Sequence, residues 1–166
     1  RFWLDNYALF TAIKSEHNDE QWERWPEPLR TRSPQALNSF KRRYRDRVKF
    51  AKWLQWQLYE QLRDVKRYAT KSGVLLMGDL PLLMARDSVE VWTYPQYFKL
   101  EVGAGAPPDA YARNGQRWGM PAYNWEQLAE RQYDVWSKRL KYAEQFYDLF
   151  RIDHAVGTFR QWVIPV

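Results

Sequence analysis

Apolar positions from Trp3 to Lys14 recur at helical spacing, with Trp3, Leu4, Tyr7, Ala8, Phe10 and Ala12 on one face of a predicted helix. Trp25-Pro26-Glu27-Pro28 interrupts the pattern and predicts a loop. Ser33-Pro34 reads as an N-cap followed by proline at the first helical position. The longest amphipathic stretch runs from about Val48 to Lys71. There Phe50, Trp53, Leu54, Leu58, Leu62, Val65 and Ala69 form a continuous stripe, and Gly73 supplies the stop. At 1.5 Å per residue such a helix is roughly 35 Å long.

The period then changes. Val74-Leu75-Leu76-Met77 is an unbroken apolar run, as expected of a strand covered on both faces. The segment 81–123 carries Pro81, Pro95, Pro107, Pro108 and Pro121 with Gly103, Gly105, Gly115 and Gly119, and is predicted to be mostly irregular. A loop of that length after a strand is uncommon unless it is functional. Asn124-Trp125 opens a second helical stretch with Trp136, Leu140, Ala143 and Tyr147 on one face, and Phe150-Arg151-Ile152-Asp153 reads as a second short strand. Helix, strand, long loop, helix, strand is the order of βα units with a parallel sheet. The predicted fold class is therefore α/β and helix-rich, with residues 1–47 as a helical subdomain leading into a βα part over 48–166.

Composition narrows the reading. The chain has 166 residues and 45% hydrophobic content, enough for a domain core. It opens on Arg1 and closes on Trp162-Val163-Ile164-Pro165-Val166, and reads as an internal piece of a longer protein. No cysteine is present, which excludes disulfides and thiolate metal sites and fits a reducing, cytoplasmic setting. No apolar run approaches membrane-spanning length and no secretory signal opens the chain. With only His17 and His154, no histidine-rich metal site is expected, and neither metal nor cofactor is called for.

The net charge of +6 is unevenly spread. Residues 1–72 hold 16 Lys and Arg against 9 Asp and Glu, whereas residues 73–166 hold 10 against 11. Lys41, Arg42, Arg43, Arg45, Arg47 and Lys49 supply much of the excess, which reads as a solvated helix face rather than a nucleic-acid stripe. The remaining outlier is 10 Trp and 11 Tyr. Most belong to cores, yet flat aromatic faces also suit the apolar faces of sugar rings, and a neutral glycan needs no complementary charge.

Two short apolar segments run into acids: Gly78-Asp79-Leu80-Pro81, followed by Asp87-Ser88, and Arg151-Ile152-Asp153-His154. If both are parallel strands, their carboxylates reach the same edge of one sheet, where βα enzymes place their chemistry. Residues two apart share a strand face, so Arg151 and Asp153 point together while Ile152 packs the other way. A guanidinium beside a carboxylate favours the ionised form, as a nucleophile requires, though a strand-end ion pair would look the same.

In their order along the chain, Trp3-Leu4-Asp5-Asn6-Tyr7-Ala8-Leu9-Phe10, Gly78-Asp79-Leu80-Pro81 with Asp87-Ser88-Val89-Glu90-Val91-Trp92, Pro107-Pro108-Asp109, Gly115-Gln116-Arg117-Trp118-Gly119 and Arg151-Ile152-Asp153-His154 resemble the 4-alpha-glucanotransferases, the amylomaltases or disproportionating enzymes of glycoside hydrolase family 77. The resemblance implies part of a (β/α)8 TIM barrel, about its third and fourth strands. It also implies retaining transfer of α-1,4-glucan segments from a maltooligosaccharide donor to glucose or a glycan acceptor. The family's acid/base glutamate and third carboxylate are expected beyond Val166. Ala155-Val156-Gly157, Ala110 and the short stretch from Phe98 to Pro107 depart from many amylomaltases. With Gly157-Thr158-Phe159-Arg160-Gln161-Trp162 they resemble the branch of the plant cytosolic disproportionating enzymes.

By that resemblance Asp153 matches the nucleophile and Arg151 is expected to orient it. Asp79 is expected to line the sugar site or cap its own turn. Trp118 is expected to overhang the cleft as a stacking platform, with Tyr111 a weaker candidate of the same kind. His154, opposite Asp153 if the strand persists, either touches sugar or packs behind the nucleophile. Asp87 and Ser88 read as caps of a short helix. A related α-glucan hydrolase and an inactive glucan-binding module are the competing readings.

Overall fold

The structure is a computed structural model describing residues 1–166. It is a mixed α/β, helix-rich chain of two compact units, Arg1–Ser72 and Gly73–Val166. The boundary falls where the basic excess ends. No helix is long and apolar enough to cross a membrane.

The first unit is helical: α1 (Leu4–Glu16), a 3-10 turn at Trp22–Arg24, α2 (Glu27–Arg30), α3 (Pro34–Arg43) and α4 (Arg45–Lys71). α1 packs on α4 and buries Ala8, Leu9, Phe10, Ala12 and Ile13. Trp25 closes this core, its ring 5.2 Å from that of Phe10 and its indole N–H donating to the Glu20 carbonyl at 3.0 Å. Ser33 is the N-cap of α3 with Pro34 at the first helical position, but its hydroxyl donates to Gln35 Oε1 at 3.1 Å instead of capping. The long helix ends as predicted, with Gly73 in the left-handed region. Its burial differs from expectation. Val48, Ala51 and Ala69 are buried, whereas Phe50, Trp53, Leu54, Leu58 and Val65 are exposed. The small residues form one border of the stripe and the bulky ones face outward.

The second unit holds two sheets. β1 (Met77–Pro81) and β4 (Leu149–Asp153) form a parallel pair, and β2 (Phe98–Ala106) lies between β3 (Gln116–Tyr123) and β5 (Val163–Pro165), antiparallel to both. Around them lie α5 (Val89–Thr93), α6 (Trp125–Glu130) and α7 (Asp134–Ala143). The core contains Leu82, Val91, Trp92, Phe98, Ala104, Tyr123, Leu128 and Phe146, with Trp92 wholly enclosed. The Tyr123 ring stands 5.1 Å from Phe98, 4.9 Å from Trp125 and 5.8 Å from Trp136, so much of the aromatic surplus is packing.

Three expectations change here. The apolar run at 74–76 precedes the strand, with Val74 and Leu75 exposed. Leu76 is tied to the turn before β4, its amide donating to the Asp148 carboxylate at 2.9 Å and its carbonyl accepting from the Asp148 amide at 2.8 Å. The segment predicted as irregular contains the β2–β3 hairpin, and its register shifts fall between Lys99 and Gly103 and between Gly103 and Gly105. Glycine there marks bulges within strands rather than loop. Finally, the second helical stretch is broken into α6 and α7 by Gln132 and Tyr133, both left-handed.

The parallel strands are held from one side. Gly78 and Leu80 are buried, and a Cβ at Gly78 would run into the Tyr147 ring, so glycine lets the end of the α7 segment lie directly on β1.

Candidate active site

The register pairs Asp79 with Arg151 and Pro81 with Asp153. Alternation then sets Met77, Asp79, Pro81, Leu149, Arg151 and Asp153 on one face of the pair. That face is open, with Asp79, Pro81, Arg151 and Asp153 all exposed. The parallel strands thus deliver two carboxylates and a guanidinium to one end of one sheet.

Arg151 does not bond to Asp153. Its Nε donates to Asp79 Oδ1 at 3.1 Å and its Nη2 to Asp79 Oδ2 at 2.5 Å, a two-point fork across the strands. The bonds to Asp79 raise the Arg151 pKa, and the Asp153 charge adds to the effect. Asp79 is therefore the anchor that holds Arg151, and Arg151 stands beside Asp153 as a fixed positive charge. The sequence suggested a partnership within one strand; the register supplied a closer partner on the neighbouring one.

His154 also differs from the alternation argument. β4 stops at Asp153, and His154 adopts φ +53, a left-handed conformation costing about 1–3 kcal/mol outside glycine. The turn brings the imidazole beside Asp153 instead of across the sheet. Its ring meets Trp118 edge-on with centroids 4.9 Å apart, and its Nε2 is buried without a hydrogen-bond partner. Beneath it Gly157 is buried, where a Cβ would press on Leu82, Gln161 and the imidazole itself.

Trp118 lies on β3 rather than in a loop. Its indole N–H donates to Gln116 Oε1 at 3.0 Å, which fixes the ring's orientation. Pro81, Leu82, Leu83, Trp118, Met120, Asp153 and His154 line an open pocket of about 510 Å³. That volume suits a small ligand, and the lining is mostly apolar with few polar groups, as such sites are. Tyr111 does not join them. It is 99% exposed in the β2–β3 connection, where its amide donates to Asp109 Oδ1 at 2.8 Å. Ser88 caps α5, accepting from the Val91 amide at 3.4 Å. No three His, Asp or Glu side chains converge as metal ligands. Sequence reasoning missed Leu83 and Met120, because apolar residues in a segment read as loop carry no signal of which side they face.

The 4-alpha-glucanotransferase profile of glycoside hydrolase 77 matches residues 1–166, the whole chain. The chain belongs to this family. A Chlamydia pneumoniae 4-alpha-glucanotransferase is 42% identical over 163 residues, covering 98% of this chain and 31% of that protein. One from Thermus thermophilus is 40% identical over 170 residues, covering 99% and 34%. The solved amylomaltase of Streptococcus agalactiae in complex with acarbose superposes with a TM-score of 0.95 at 33% identity, over 99% of this chain and 34% of that one. The chain thus spans about a third of the length of the relatives it matches.

Proposed function

We propose that this chain is the part of a 4-alpha-glucanotransferase that carries the nucleophile, and that Asp153 is that nucleophile. The observation carrying the reading is Asp153 at the C-terminal end of a parallel strand, on the wall of the pocket and beside an Arg151 anchored by Asp79. Family membership and the acarbose-bound amylomaltase support an α-glucan oligosaccharide as the ligand.

The chemistry follows from the residues. An ionised Asp153 attacks the anomeric carbon of a bound glucan, and the bond to the leaving sugar oxygen breaks as that oxygen takes a proton. A second carboxylic acid roughly 5–5.5 Å away is needed to give that proton. Asp153 is the one carboxylate lining the pocket, and Asp79 is engaged by Arg151. The acid is therefore assigned to the rest of the whole enzyme. A glucose or glycan hydroxyl then displaces Asp153 and returns its proton to that second carboxylate. Trp118 offers a ring face to a sugar, and a sugar hydroxyl would satisfy His154 Nε2. Tyr111 is the outlying contact, for a longer donor.

The parallel pair has both outer edges unpaired and one face open, whereas parallel sheets are normally covered on both faces. This supports β1 and β4 as neighbouring strands of a (β/α)8 barrel completed elsewhere in the whole enzyme, with residues 1–47 as a helical subdomain leading into it.

The test is trapping. A slow or activated glycosyl donor given to the whole enzyme should leave a covalent adduct on Asp153, and Asp153→Asn should lose kcat by orders of magnitude while binding oligosaccharide within a few-fold. An adduct on another carboxylate, or near-normal transfer by Asp153→Asn, rejects the assignment.

A further inference from the structure

We propose that Arg139 is a positioning residue for glucan transfer, fixing from α7 the strand end against which the nucleophile is registered. This rests on the reading of Asp153 as nucleophile. The Arg139 Nη2 donates to the backbone carbonyl of Pro81 at 2.8 Å, across 58 positions of sequence. Pro81 is the register partner of Asp153 and lines the same pocket. Pro81 has no backbone N–H, so its carbonyl is the one backbone group through which that residue can be hydrogen-bonded. That bond ties the end of β1 to α7, and Asp153 is the next residue across the sheet.

Arg139 is built to hold still. Its guanidinium lies 4.9 Å over the Trp136 ring and shares one cavity lining with Tyr123 and Glu90. Burial lowers its pKa against the opposing pull of Tyr123 and Glu90, and burial raises that of Tyr123. A half-buried cation aimed at a backbone carbonyl is a costly way to stabilise a domain. It does fix an atom's position, and a misplacement of about 1 Å can cost a hundredfold in rate.

The experiment uses the whole enzyme, with Arg139→Ala, Arg139→Lys, Asp153→Asn and Val91→Ala. Val91 is fully buried in α5 and serves as a control that lowers Tm without touching the Pro81 carbonyl. Arg139→Ala should lose about tenfold to a hundredfold in kcat with KM changed by less than about threefold, while Val91→Ala keeps kcat at a comparable loss of Tm. Arg139→Lys, which keeps the charge without the fork, should show a smaller loss of the same kind, and it replaces the alanine variant if that one does not fold. Equal kcat in the Arg139 and Val91 variants at matched Tm, or a fall in kcat/KM carried by KM alone, overturns the proposal. Asp153→Asn separates the two readings. If it is inactive and the Arg139 variants are normal, only the positioning role fails; if it retains transfer, the nucleophile assignment fails and this inference with it.

Discussion

At the scale of single residues, the site is a set of side chains whose partners were decided by neighbours in space. Arg151 forks onto Asp79, Trp118 is steered by Gln116, and His154 is turned by one left-handed residue. Trp118 and His154 meet at nearly a right angle, and both line the pocket. In the whole enzyme, Trp118→Ala should lower kcat/KM for oligosaccharide donors by about 0.5–1.5 kcal/mol, the worth of one aromatic contact beyond its area. Kinetics over a series of donor lengths checks this, and an unchanged kcat/KM throughout removes the stacking role.

Among elements, the pairing of α1 with α4 is tied at the surface by the Asp5–Lys52 ion pair and by Gln55 donating to the Tyr7 hydroxyl at 3.2 Å. The bond from Lys52 lowers the Asp5 pKa below its usual 3.8, with the Lys52 charge helping against slight burial. A depressed carboxylate stabilises above its unfolded pKa and loses that contribution as pH falls through the folded one. Asp5→Asn should therefore be less stable than the parent enzyme at pH 6, and the two should converge well below pH 3.8. Denaturant midpoints at both pH values test the sign; a difference that persists in acid would show that the pair acts through packing. The hairpin of β2 and β3 has the opposite lesson. Its glycines and prolines read locally as loop, yet bulged strands use the same residues to bend an edge over a site.

For the whole molecule, two features point the same way. The outer face of α4 shows Phe50, Trp53, Leu54, Leu58 and Val65 to solvent, and the parallel pair of β1 and β4 has unpaired edges. Exposed apolar stripes and open edges invite association. A polypeptide of these 166 residues alone should accordingly self-associate and show no glucan transfer, since the pocket wall offers a single carboxylate. Light scattering together with an oligosaccharide disproportionation assay checks both parts, and an active monomer would contradict the division of the catalytic pair between this chain and the rest.

Much of this was legible in the residues themselves. Helical periodicity placed α1 and α4, Ser33-Pro34 marked the start of α3, and the Gly-Asp-Leu-Pro and Arg-Ile-Asp-His blocks located both parallel strands and their acidic ends. Those signals are local, because spacing of 3.6 or 2 and the backbone limits of proline and glycine act within a few residues. The partner of Arg151 was not legible, nor was the face α4 buries, the hairpin at 98–123, or the reach of Arg139 to Pro81. Each depends on residues distant in sequence, 72 positions for Arg151 and Asp79 and 58 for Arg139 and Pro81. Such pairings are chosen by strand register and by how helices lie on the sheet, and only the folded chain sets those.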